Sequence, residues 1–476
     1  MNNNVVKNFL WRFFERCGAQ FVTLIVSIVL ARILTPSDFG TVSLIMVFTT
    51  ILQVFVDSGL GTALIQKKDA DDLDFSSVFY FNFAICLILY LGMFIASPFI
   101  AKFYKDISLT PIIRVISLTI VMSGVKGIQQ SYVSRNMLFK KFFFATLGGT
   151  LFSAVLGIGM AYAGFGVWSI VAQQLSNTAI DTLILWITVD WRPKRMFSWQ
   201  RLKSLLSYGW KLLVSSLLDT IYNNLRNLII GKIYTSSDLA YYNQGDKFPK
   251  VIVMNINASI DSVLLPSMSG EQENKERVKS MTRRAIKTST YIMAPLMMGL
   301  LFCAEPIVRL LLTDKWLPCV PYLRIFCFTY MFYPIHTANL NAIKAMGRSD
   351  LFLKLEIIKK VVGLILLFIT MRISVMAMAY SLIFSGILSQ IINSWPNWKL
   401  LNYNYLEQLR DILPSICISV FMGVCVYFIG FLSLPTLLQL IIQVIVGAII
   451  YIVASIVLKL EEFNYLFGMI KSFKKK

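Results

Sequence analysis

The sequence Arg32-Ile-Leu-Thr-Pro-Ser-Asp38 recurs 200 residues later as Lys232-Ile-Tyr-Thr-Ser-Ser-Asp238, and this duplication indicates two similar halves. The two stretches share Ile, Thr, Ser and Asp at corresponding positions, and each begins with a basic residue. Each stretch joins one apolar segment to the next, and roughly six apolar segments separate them. Because six is an even number, the two halves would have the same orientation in a membrane, as the parallel repeats of transporters do.

The shared polar residues can also have purely local roles. Arg32 and Lys232 can extend their charged ends to the outer membrane interface. Asp38 and Asp238 can cap the helix that follows each stretch. These local roles do not remove the evidence for a duplication. The duplication concerns the order of the segments and not the role of one side chain.

Composition indicates a membrane protein built from helices. The 476 residues are 57% hydrophobic and only 15% charged, which excludes a set of soluble domains. A window of about 19 residues predicts about fourteen transmembrane helices, and the connections of at most about 20 residues leave no room for a soluble catalytic domain. The predicted spans lie at about 13–33, 40–64, 76–100, 110–131, 143–163, 166–189, 207–230, 249–269, 285–305, 321–343, 354–371, 374–395, 411–431 and 435–458.

The excess of basic residues indicates orientation. Lys and Arg number 45 against 25 Asp and Glu, a net charge of +20 that would suggest nucleic-acid binding in a soluble protein. With a cytoplasmic N-terminus, about 33 of the 45 basic residues fall on the inner side, a strong positive-inside bias. We therefore expect no nucleic-acid partner, both termini in the cytoplasm, and a basic cytoplasmic tail that ends in Lys471–Lys476.

Residues for metal, cofactor or catalytic chemistry are scarce. Seven Cys and one His, His336, form no zinc or disulfide pattern, and we expect His336 to pack or hydrogen-bond. Asp69-Ala-Asp71 has the form of a metal-binding D-x-D pair, but acids before a predicted span favour a helix N-terminus. We expect no metal, no cofactor and no enzymatic activity.

Polar side chains recur at helical spacing on the first, second, seventh and eighth predicted spans. Ionisable groups inside a membrane cost roughly 2.5–3.5 kcal/mol each, so they normally face a cavity or a partner. Because these spans correspond between the two halves, we expect a central hydrophilic cavity between them. The polar faces comprise Arg16, Gln20, Thr23 and Ser27; Gln53 and Asp57; Asp219, Asn223 and Arg226; and Lys250, Asn257 and Asp261.

Polar faces of this kind also occur in helix bundles that have no cavity. The Asn, Thr and Ser side chains can join helices by hydrogen bonds without lining a path. Asp219 and Arg226, two turns apart on one face, can form a structural ion pair. Further candidates on other spans are Gln173, Asn177, Asp181 and Arg324.

Several stretches resemble a known family. They are Ser27-Ile-Val-Leu-Ala-Arg-Ile-Leu-Thr-Pro-Ser-Asp-Phe-Gly40, Val54-Phe-Val-Asp-Ser-Gly-Leu-Gly-Thr-Ala-Leu-Ile-Gln66, Phe103-Tyr104 and Gln130-Ser-Tyr-Val-Ser-Arg-Asn-Met-Leu-Phe-Lys-Lys141. In these the chain resembles the Wzx-type flippases, the polysaccharide-export branch of the multidrug/oligosaccharidyl-lipid/polysaccharide (MOP) exporter superfamily. The resemblance is close over about the first 170 residues, and the second half has diverged.

The resemblance implies an all-α membrane protein of fourteen helices, with two pseudo-symmetric six-helix lobes around a central cavity and two further helices. We assign the lobes to residues 1–204 and 205–400, and the additional helices and tail to 401–476. The implied function is translocation of an undecaprenyl-diphosphate-linked oligosaccharide repeat unit to the outer leaflet of the bacterial cytoplasmic membrane by alternating access. Implied partners are the lipid bilayer, a coupling H⁺ or Na⁺, and the polysaccharide polymerase machinery.

Under this implication the polar residues divide into three groups. Fixed cations suit a diphosphate, amides suit sugar hydroxyls, and desolvated carboxylates can exchange a coupling ion. The cavity cations are Arg226, Lys250 and Arg324, with Arg32 and Lys232 at the outer mouth; the amides are Asn223, Asn257, Gln20 and Gln53; the ion-coupling carboxylates are Asp57, Asp219 and Asp261. An ion-coupled multidrug or small-molecule exporter of the same superfamily remains the alternative function.

Overall fold

The computed structural model describes residues 3–57, 59–432 and 434–473, and it divides into two compact units, Met1–Ala240 and Tyr241–Lys476. We refer to these as unit 1 and unit 2. The side chain of Arg16 and the last three lysines of the predicted tail lie outside the described residues. The described chain is almost entirely α-helical.

Unit 1 contains nine helices and the start of a tenth. They are α1 (Asn3–Ile33), α2 (Pro36–Asp57), α3 (Leu60–Gln66), α4 (Asp72–Tyr104), α5 (Leu109–Ile116), α6 (Leu118–Arg135), α7 (Phe139–Tyr162), α8 (Val167–Thr188), α9 (Trp199–Ile233) and the start of α10 (Ser236–Ser269). Helix α7 packs along both α1 and α8, while α2 packs along α6 and α9.

Unit 2 contains the rest of α10 and the remaining helices. They are α11 (Lys275–Phe302), α12 (Ala304–Leu312), a 3₁₀-helix (Asp314–Cys319), α13 (Val320–Met331), α14 (Tyr333–Ala345), α15 (Ser349–Thr370), α16 (Val375–Leu401), α17 (Tyr405–Ile429), α18 (Thr436–Val457) and α19 (Glu461–Phe473). Helix α11 is central to this unit, because it packs against α13, α14 and α17.

The predicted all-α membrane architecture is confirmed, and each of the fourteen predicted spans corresponds to one helix or to two consecutive helices. Nine helical stretches within the described residues are both long and apolar enough to cross a membrane. The number of fourteen spans and the division at residues 204 and 400 stay predictions. The sequence did not predict α12 or α19, which are short and contain charged residues.

The second predicted span is interrupted near its end, between α2 and α3. Gly59 has a φ of 70°, a left-handed conformation that glycine adopts without steric cost. A Cβ at this position would lie 3.1 Å from the Cα of Gly209 on α9. The interruption therefore occurs where two glycines allow α9 to approach closely.

Both copies of the duplicated stretch start a helix with the same hydrogen bonds. The Thr35 hydroxyl accepts from the backbone N–H of Asp38 (3.2 Å), and the Asp38 carboxylate accepts from the N–H of Thr35 (3.0 Å). The corresponding distances at Thr235 and Asp238 are both 3.1 Å. This reciprocal arrangement satisfies N–H groups that a helix start leaves unpaired. Asp38 and Asp238 thus stabilise the helix starts as predicted, but from the third helical position, and the hydroxyls of Thr35 and Thr235 provide the cap itself.

The connections of unit 1 gather at two opposite groups of loops. In one group, Lys232 donates to the carbonyl oxygen of Phe103 and lies 3.9 Å from the centre of that ring. In the other, the Arg135 guanidinium donates to the carbonyl oxygen of Leu64 at 2.7 Å, and Arg201 pairs with Asp71 at 2.6 Å. The first group joins loops predicted to be outer, and the second joins loops predicted to be inner.

Candidate functional site

A polar cavity of about 370 Å³ lies within unit 1. Its lining comes from helices α2, α6, α8 and α9, and hydroxyl and amide groups predominate. The residues are Thr49, Thr50, Gln53, Val54, Asp57, Thr119, Ser123, Gln174, Thr178 and Thr220. Hydroxyls and amides both donate and accept hydrogen bonds, so this lining suits a ligand with many hydroxyl groups.

Gln53 and Asp57 are the two predicted site residues that line this cavity. They lie one turn apart on α2, and the Gln53 amide donates to the Asp57 carboxylate at 3.2 Å. Asp57 also lines a second cavity of about 270 Å³, which α3, α4 and α6 border with Thr62, Asn82 and Ser131. The Asp57 carboxylate is therefore shared by these two cavities.

The other predicted residues of unit 1 lie elsewhere on its helices. Gln20 is exposed on α1, and Asp219 and Asn223 are exposed on α9, where Arg226 is half-buried. None of these four lines the 370 Å³ cavity, although Thr220, next to Asp219, does. The structural pair between Asp219 and Arg226 stays a prediction.

At the predicted outer mouth, Arg32 is exposed at the end of α1 and Lys232 is exposed near the end of α9. Lys232 binds the backbone and the ring of Phe103. Its charge is thus partly engaged by α4, which the sequence did not indicate.

A buried ion pair joins α6 and α8 close to the cavities. The Lys126 ammonium lies 2.8 Å from the Asp181 carboxylate, and the two side chains are only 17% and 12% exposed. Asp181 was a candidate from its spacing on the sixth span, but Lys126 was missed. The signal was present, since Lys126 is an isolated cation inside an apolar predicted span.

In unit 2, Lys250 is exposed and pairs with a carboxylate of its own helix. Its ammonium lies 3.2 Å from the Asp246 carboxylate one turn earlier on α10. The hydroxyl of Tyr330 on α13 donates to the same carboxylate at 2.6 Å. Asp246 was missed because it precedes the predicted start of the eighth span at residue 249.

The remaining predicted residues of unit 2 have different surroundings. The Asp261 carboxylate accepts from the Asn341 amide at 2.6 Å. Asn257 is buried, and Arg324 is half-buried on α13. His336 lies 3.0 Å from the Asn393 amide, which confirms the predicted hydrogen-bonding role of the single histidine.

Within each unit the predicted residues thus form separate polar groups. Unit 1 brings Gln53 and Asp57 together, and unit 2 distributes Lys250, Asn257 and Asp261 along α10 with different neighbours. The predicted central cavity would combine residues of both units, and it stays a prediction.

This arrangement of helices is similar to the fold of solved membrane transporters. It superposes on a solved structure of the lipid II flippase MurJ, inward closed conformation, with a TM-score of 0.77 and 16% sequence identity over 95% of this chain and 98% of that chain. An inward-facing multidrug resistance MATE family transporter of the MOP superfamily gives a TM-score of 0.64 and 16% identity over 80% of this chain and 94% of that chain. At this identity the similarity concerns the fold.

The chain belongs to a family described as "Polysaccharide biosynthesis protein", whose profile matches residues 29–321. A curated relative is the teichuronic acid biosynthesis protein TuaB of Bacillus subtilis (strain 168), 23% identical over 454 residues, with 93% of each chain covered. Another is the lipopolysaccharide biosynthesis protein WzxC of Escherichia coli (strain K12), 24% identical over 416 residues, with 86% of this chain and 81% of that protein covered. The multi-pass membrane nature and the resemblance to polysaccharide flippases are thereby confirmed.

Proposed function

We propose that this protein is a flippase that moves an undecaprenyl-diphosphate-linked oligosaccharide repeat unit from the inner to the outer leaflet by alternating access. The product would serve the biosynthesis of a surface polysaccharide such as O-antigen, capsule or exopolysaccharide. The match of residues 29–321 to a polysaccharide biosynthesis family is the observation that supports this most directly. The similarity of the fold to that of a lipid II flippase supports the same proposal.

The lining of the cavity in unit 1 supports the proposal that the substrate contains sugars. Its hydroxyl and amide groups, Gln53 among them, can exchange hydrogen bonds with the hydroxyls of a sugar. Its volume of about 370 Å³ falls in the range of small-molecule sites, roughly 300–1,000 Å³. We assign Gln20, Asn223 and Asn257 to further contacts with the oligosaccharide.

The diphosphate part requires cations. Arg226 and Arg324 are half-buried, and a guanidinium can bind a phosphate with two parallel hydrogen bonds. Lys250 adds a point charge, which Asp246 partly neutralises at 3.2 Å. We therefore assign the diphosphate mainly to the two arginines, with Arg32 and Lys232 at the outer mouth.

The proposal also includes the activity class, the membrane, the orientation and the coupling ion. The protein acts as a transporter and not as an enzyme, it resides in the bacterial cytoplasmic membrane, and both termini face the cytoplasm. A gradient of H⁺ or Na⁺ drives the cycle through Asp57, Asp219 and Asp261, and the polysaccharide polymerase machinery receives the product.

The test uses purified protein in vesicles that contain a fluorescent lipid-linked oligosaccharide, with and without an ion gradient. We expect the wild type to expose the labelled lipid to a membrane-impermeant quencher. Arg226→Ala, Asp219→Ala and Arg324→Ala should remain folded and lose this activity by at least about tenfold, the effect of about 1.4 kcal/mol. Arg309→Ala is the matched control, since Arg309 on α12 pairs with Glu305 and Asp314 and belongs to no predicted site.

Normal translocation by the Arg226, Asp219 and Arg324 variants would remove the site assignment. A multidrug exporter would behave differently in the same vesicles, because it would extrude hydrophobic cations. A site that binds a diphosphate through arginines should reject such cations. Efflux of hydrophobic cations without movement of the labelled lipid would overturn the proposed substrate.

A further inference from the structure

A polar cavity of about 380 Å³ lies in unit 2 between the first half of α11 and the start of α19. Its lining combines three cations and two carboxylates with the hydroxyl groups of Ser280, Thr288 and Tyr465. The proposed function uses none of these side chains. The partners of the three cations decide which of them can bind a ligand.

Two of the three cations are paired with carboxylates. The Arg283 guanidinium binds Asp411 with two nitrogen–oxygen distances, of 2.8 and 2.5 Å. The Lys287 ammonium lies 2.8 Å from Glu461 and 2.9 Å from Glu462, so it engages both carboxylates of the cavity. A ligand could reach either cation only by breaking an ion pair.

The third cation of the cavity, Arg284, has no carboxylate partner among the described residues. Its guanidinium lies over the ring of Tyr465, 5.3 Å from the ring centre. The face of an aromatic ring attracts a cation, but it does not replace a carboxylate as an acceptor for the N–H groups. The exposed Arg284 guanidinium is therefore held in place with donors left for an anion.

Hydroxyl groups flank Arg284 on the same face of α11. Ser280 lies one turn before it and Thr288 one turn after it, and both line the cavity. A phosphate group binds a guanidinium through two parallel hydrogen bonds and accepts further hydrogen bonds from hydroxyls. One unpaired guanidinium matches the single charge of a phosphate diester, whereas the two carboxylates of the cavity would repel a more highly charged group.

The position of Arg284 along the chain indicates the source of such a phosphate. Arg284 directly precedes the ninth predicted span at residue 285, so it lies at the predicted boundary between the membrane and its inner surface. Phospholipid headgroups occupy this level of a membrane. Anionic headgroups attract basic side chains there.

The helix on the other side of the cavity, α19, has the pattern of a helix that lies in a membrane interface. Phe463, Leu466 and Phe467 fall on one face, and Asn464 and Gly468 fall on the adjoining polar face. The Phe467 side chain is 58% exposed, and its ring stacks on that of Phe463 with the centres 5.9 Å apart. Amphipathic helices place such apolar faces at the boundary between headgroups and acyl chains.

We propose that Arg284, Ser280 and Thr288 bind the phosphate of an anionic phospholipid such as phosphatidylglycerol, and that α19 lies in the membrane interface beside this site. The guanidinium binds the phosphate oxygens, the two hydroxyls donate to them, and Phe467 contacts the acyl chains. The bound lipid stays in its own leaflet. The site is therefore separate from the residues that we assign to the transported diphosphate.

The binding test uses purified full-length protein freed of co-purified lipid, and it counts bound lipids by native mass spectrometry. Phosphatidylglycerol is titrated, and phosphatidylcholine, whose headgroup has no net charge, is the comparison. We expect Arg284→Ala to weaken phosphatidylglycerol binding at least about tenfold, because it removes charge-assisted hydrogen bonds. Arg284→Lys should lose less, since an ammonium keeps the charge but not the paired donors.

Arg348→Ala is the matched control for this test. Arg348 is also an exposed arginine in a loop predicted to be cytoplasmic, and it pairs with Asp350 at 2.9 Å. We expect this variant to bind phosphatidylglycerol as the wild type does. A loss as large as that of Arg284→Ala would indicate a general attraction of lipids to basic loops, and unchanged binding in Arg284→Ala would show that the guanidinium binds no lipid. Either result would overturn the site.

Competition distinguishes the possible sources of the phosphate. Inorganic phosphate in large excess should leave phosphatidylglycerol bound, because it lacks the acyl chains that contact α19. Displacement by inorganic phosphate would reassign the site to a soluble ligand, and displacement by the lipid-linked oligosaccharide would make it part of the transport route; both results would contradict the inference. Phosphatidylglycerol binding without translocation of the oligosaccharide would contradict only the proposed function.

The position of α19 is tested separately, with spin labels in vesicles of phosphatidylglycerol and phosphatidylcholine. The labels are attached at Phe467→Cys or at Gly468→Cys in a variant without the seven native cysteines. Nothing lies within 4 Å of a Cβ at Gly468, so a side chain fits there. The label at position 467 should be more accessible to oxygen, which concentrates in the bilayer, and the label at 468 more accessible to a water-soluble nickel complex. Equal access of the nickel complex to both labels would overturn the interfacial position of α19.

Discussion

Asp71 begins α4 with two reciprocal hydrogen bonds. Its carboxylate accepts from the backbone N–H of Asp74 at 3.0 Å, and its own N–H donates to the Asp74 carboxylate at 3.2 Å. The backbone N–H of Asp74, together with the Arg201 guanidinium, lowers the pKa of Asp71 to about 2. The acidic cluster at 69–74 is therefore a helix start, which confirms the capping interpretation of the Asp69-Ala-Asp71 motif.

The lowered pKa of Asp71 predicts an acid-dependent loss of stability at this helix start. A carboxyl group with a lowered pKa stabilises the fold above its ordinary pKa of about 3.9, and this contribution disappears as the pH falls towards about 2. Asp71→Asn should therefore reduce the stability difference between pH 5 and pH 2.5, measured as the unfolding midpoint in detergent. Asp69→Asn, an exposed neighbour, serves as the control. Equal pH dependence in the wild type and Asp71→Asn would contradict this assignment.

Single-residue functions could be predicted from the sequence where they depend on near neighbours in the chain. Asp38, Asp238 and Asp71 each exchange hydrogen bonds at a helix start with a residue three positions away, so spacing alone indicates their partners. Lys126 binds a carboxylate 55 residues away on another helix. Such a contact depends on which helix faces pack together, and spacing within one segment contains no information about that.

The N-terminal ends of α2 and α10 meet at Gly40. A Cβ on this residue would lie 1.7 Å from the backbone carbonyl oxygen of Ser236 and 2.9 Å from its Cα atom. Backbone atoms cannot move aside as a flexible side chain can. Gly40 and Ser236 lie next to the two capped stretches, so the duplicated segments are in direct contact. The backbones approach so closely there that only glycine fits at position 40.

Gly40→Ala should therefore destabilise this arrangement of helices. Overpacking a close contact typically costs about 1–3 kcal/mol, and a contact with backbone belongs at the upper end of that range. The measurement is the thermal unfolding midpoint in detergent, followed by lipid movement in vesicles. Gly92→Ala is the matched control, because nothing lies within 4 Å of a Cβ there and alanine favours the helix. A Gly40→Ala protein as stable as Gly92→Ala would show that the contact does not constrain the fold.

The helices could be predicted because long apolar runs define them. The positions at which predicted spans are interrupted could not all be predicted. The breaks after Asp57 and at Phe332 divide predicted spans into α2 and α3 and into α13 and α14. Pro334 gives a local signal for the second break. The first depends on the approach of Gly209 to Gly59, a contact between distant segments. The short helix α19 was missed because its apolar residues are too few for a hydropathy window.

Within each unit, loops that the distribution of basic residues predicts to share one side of the membrane also contact one another. Unit 1 joins loops at 64–72, 135 and 188–201 into one group, through contacts such as that of Lys141 with the Asp190 carboxylate at 3.5 Å. In unit 2, Arg283 pairs with Asp411 at 2.5 Å and Lys287 pairs with Glu461 at 2.8 Å. Each of these groups consists of loops that the distribution of basic residues predicts to be cytoplasmic.

This agreement leads to a prediction about topology that labelling can test. Ile107, 86% exposed between α4 and α5, belongs to a predicted outer loop, and Lys68, exposed between α3 and α4, belongs to a predicted inner loop. In a variant without the seven native cysteines, Ile107→Cys should react with a membrane-impermeant maleimide in intact cells. Lys68→Cys should react only after the membrane is permeabilised. The reverse labelling pattern would show that the orientation is inverted. The basic loops would then lie outside, against the positive-inside rule. Reaction of both cysteines in intact cells would remove the membrane span that α4 is predicted to form between them.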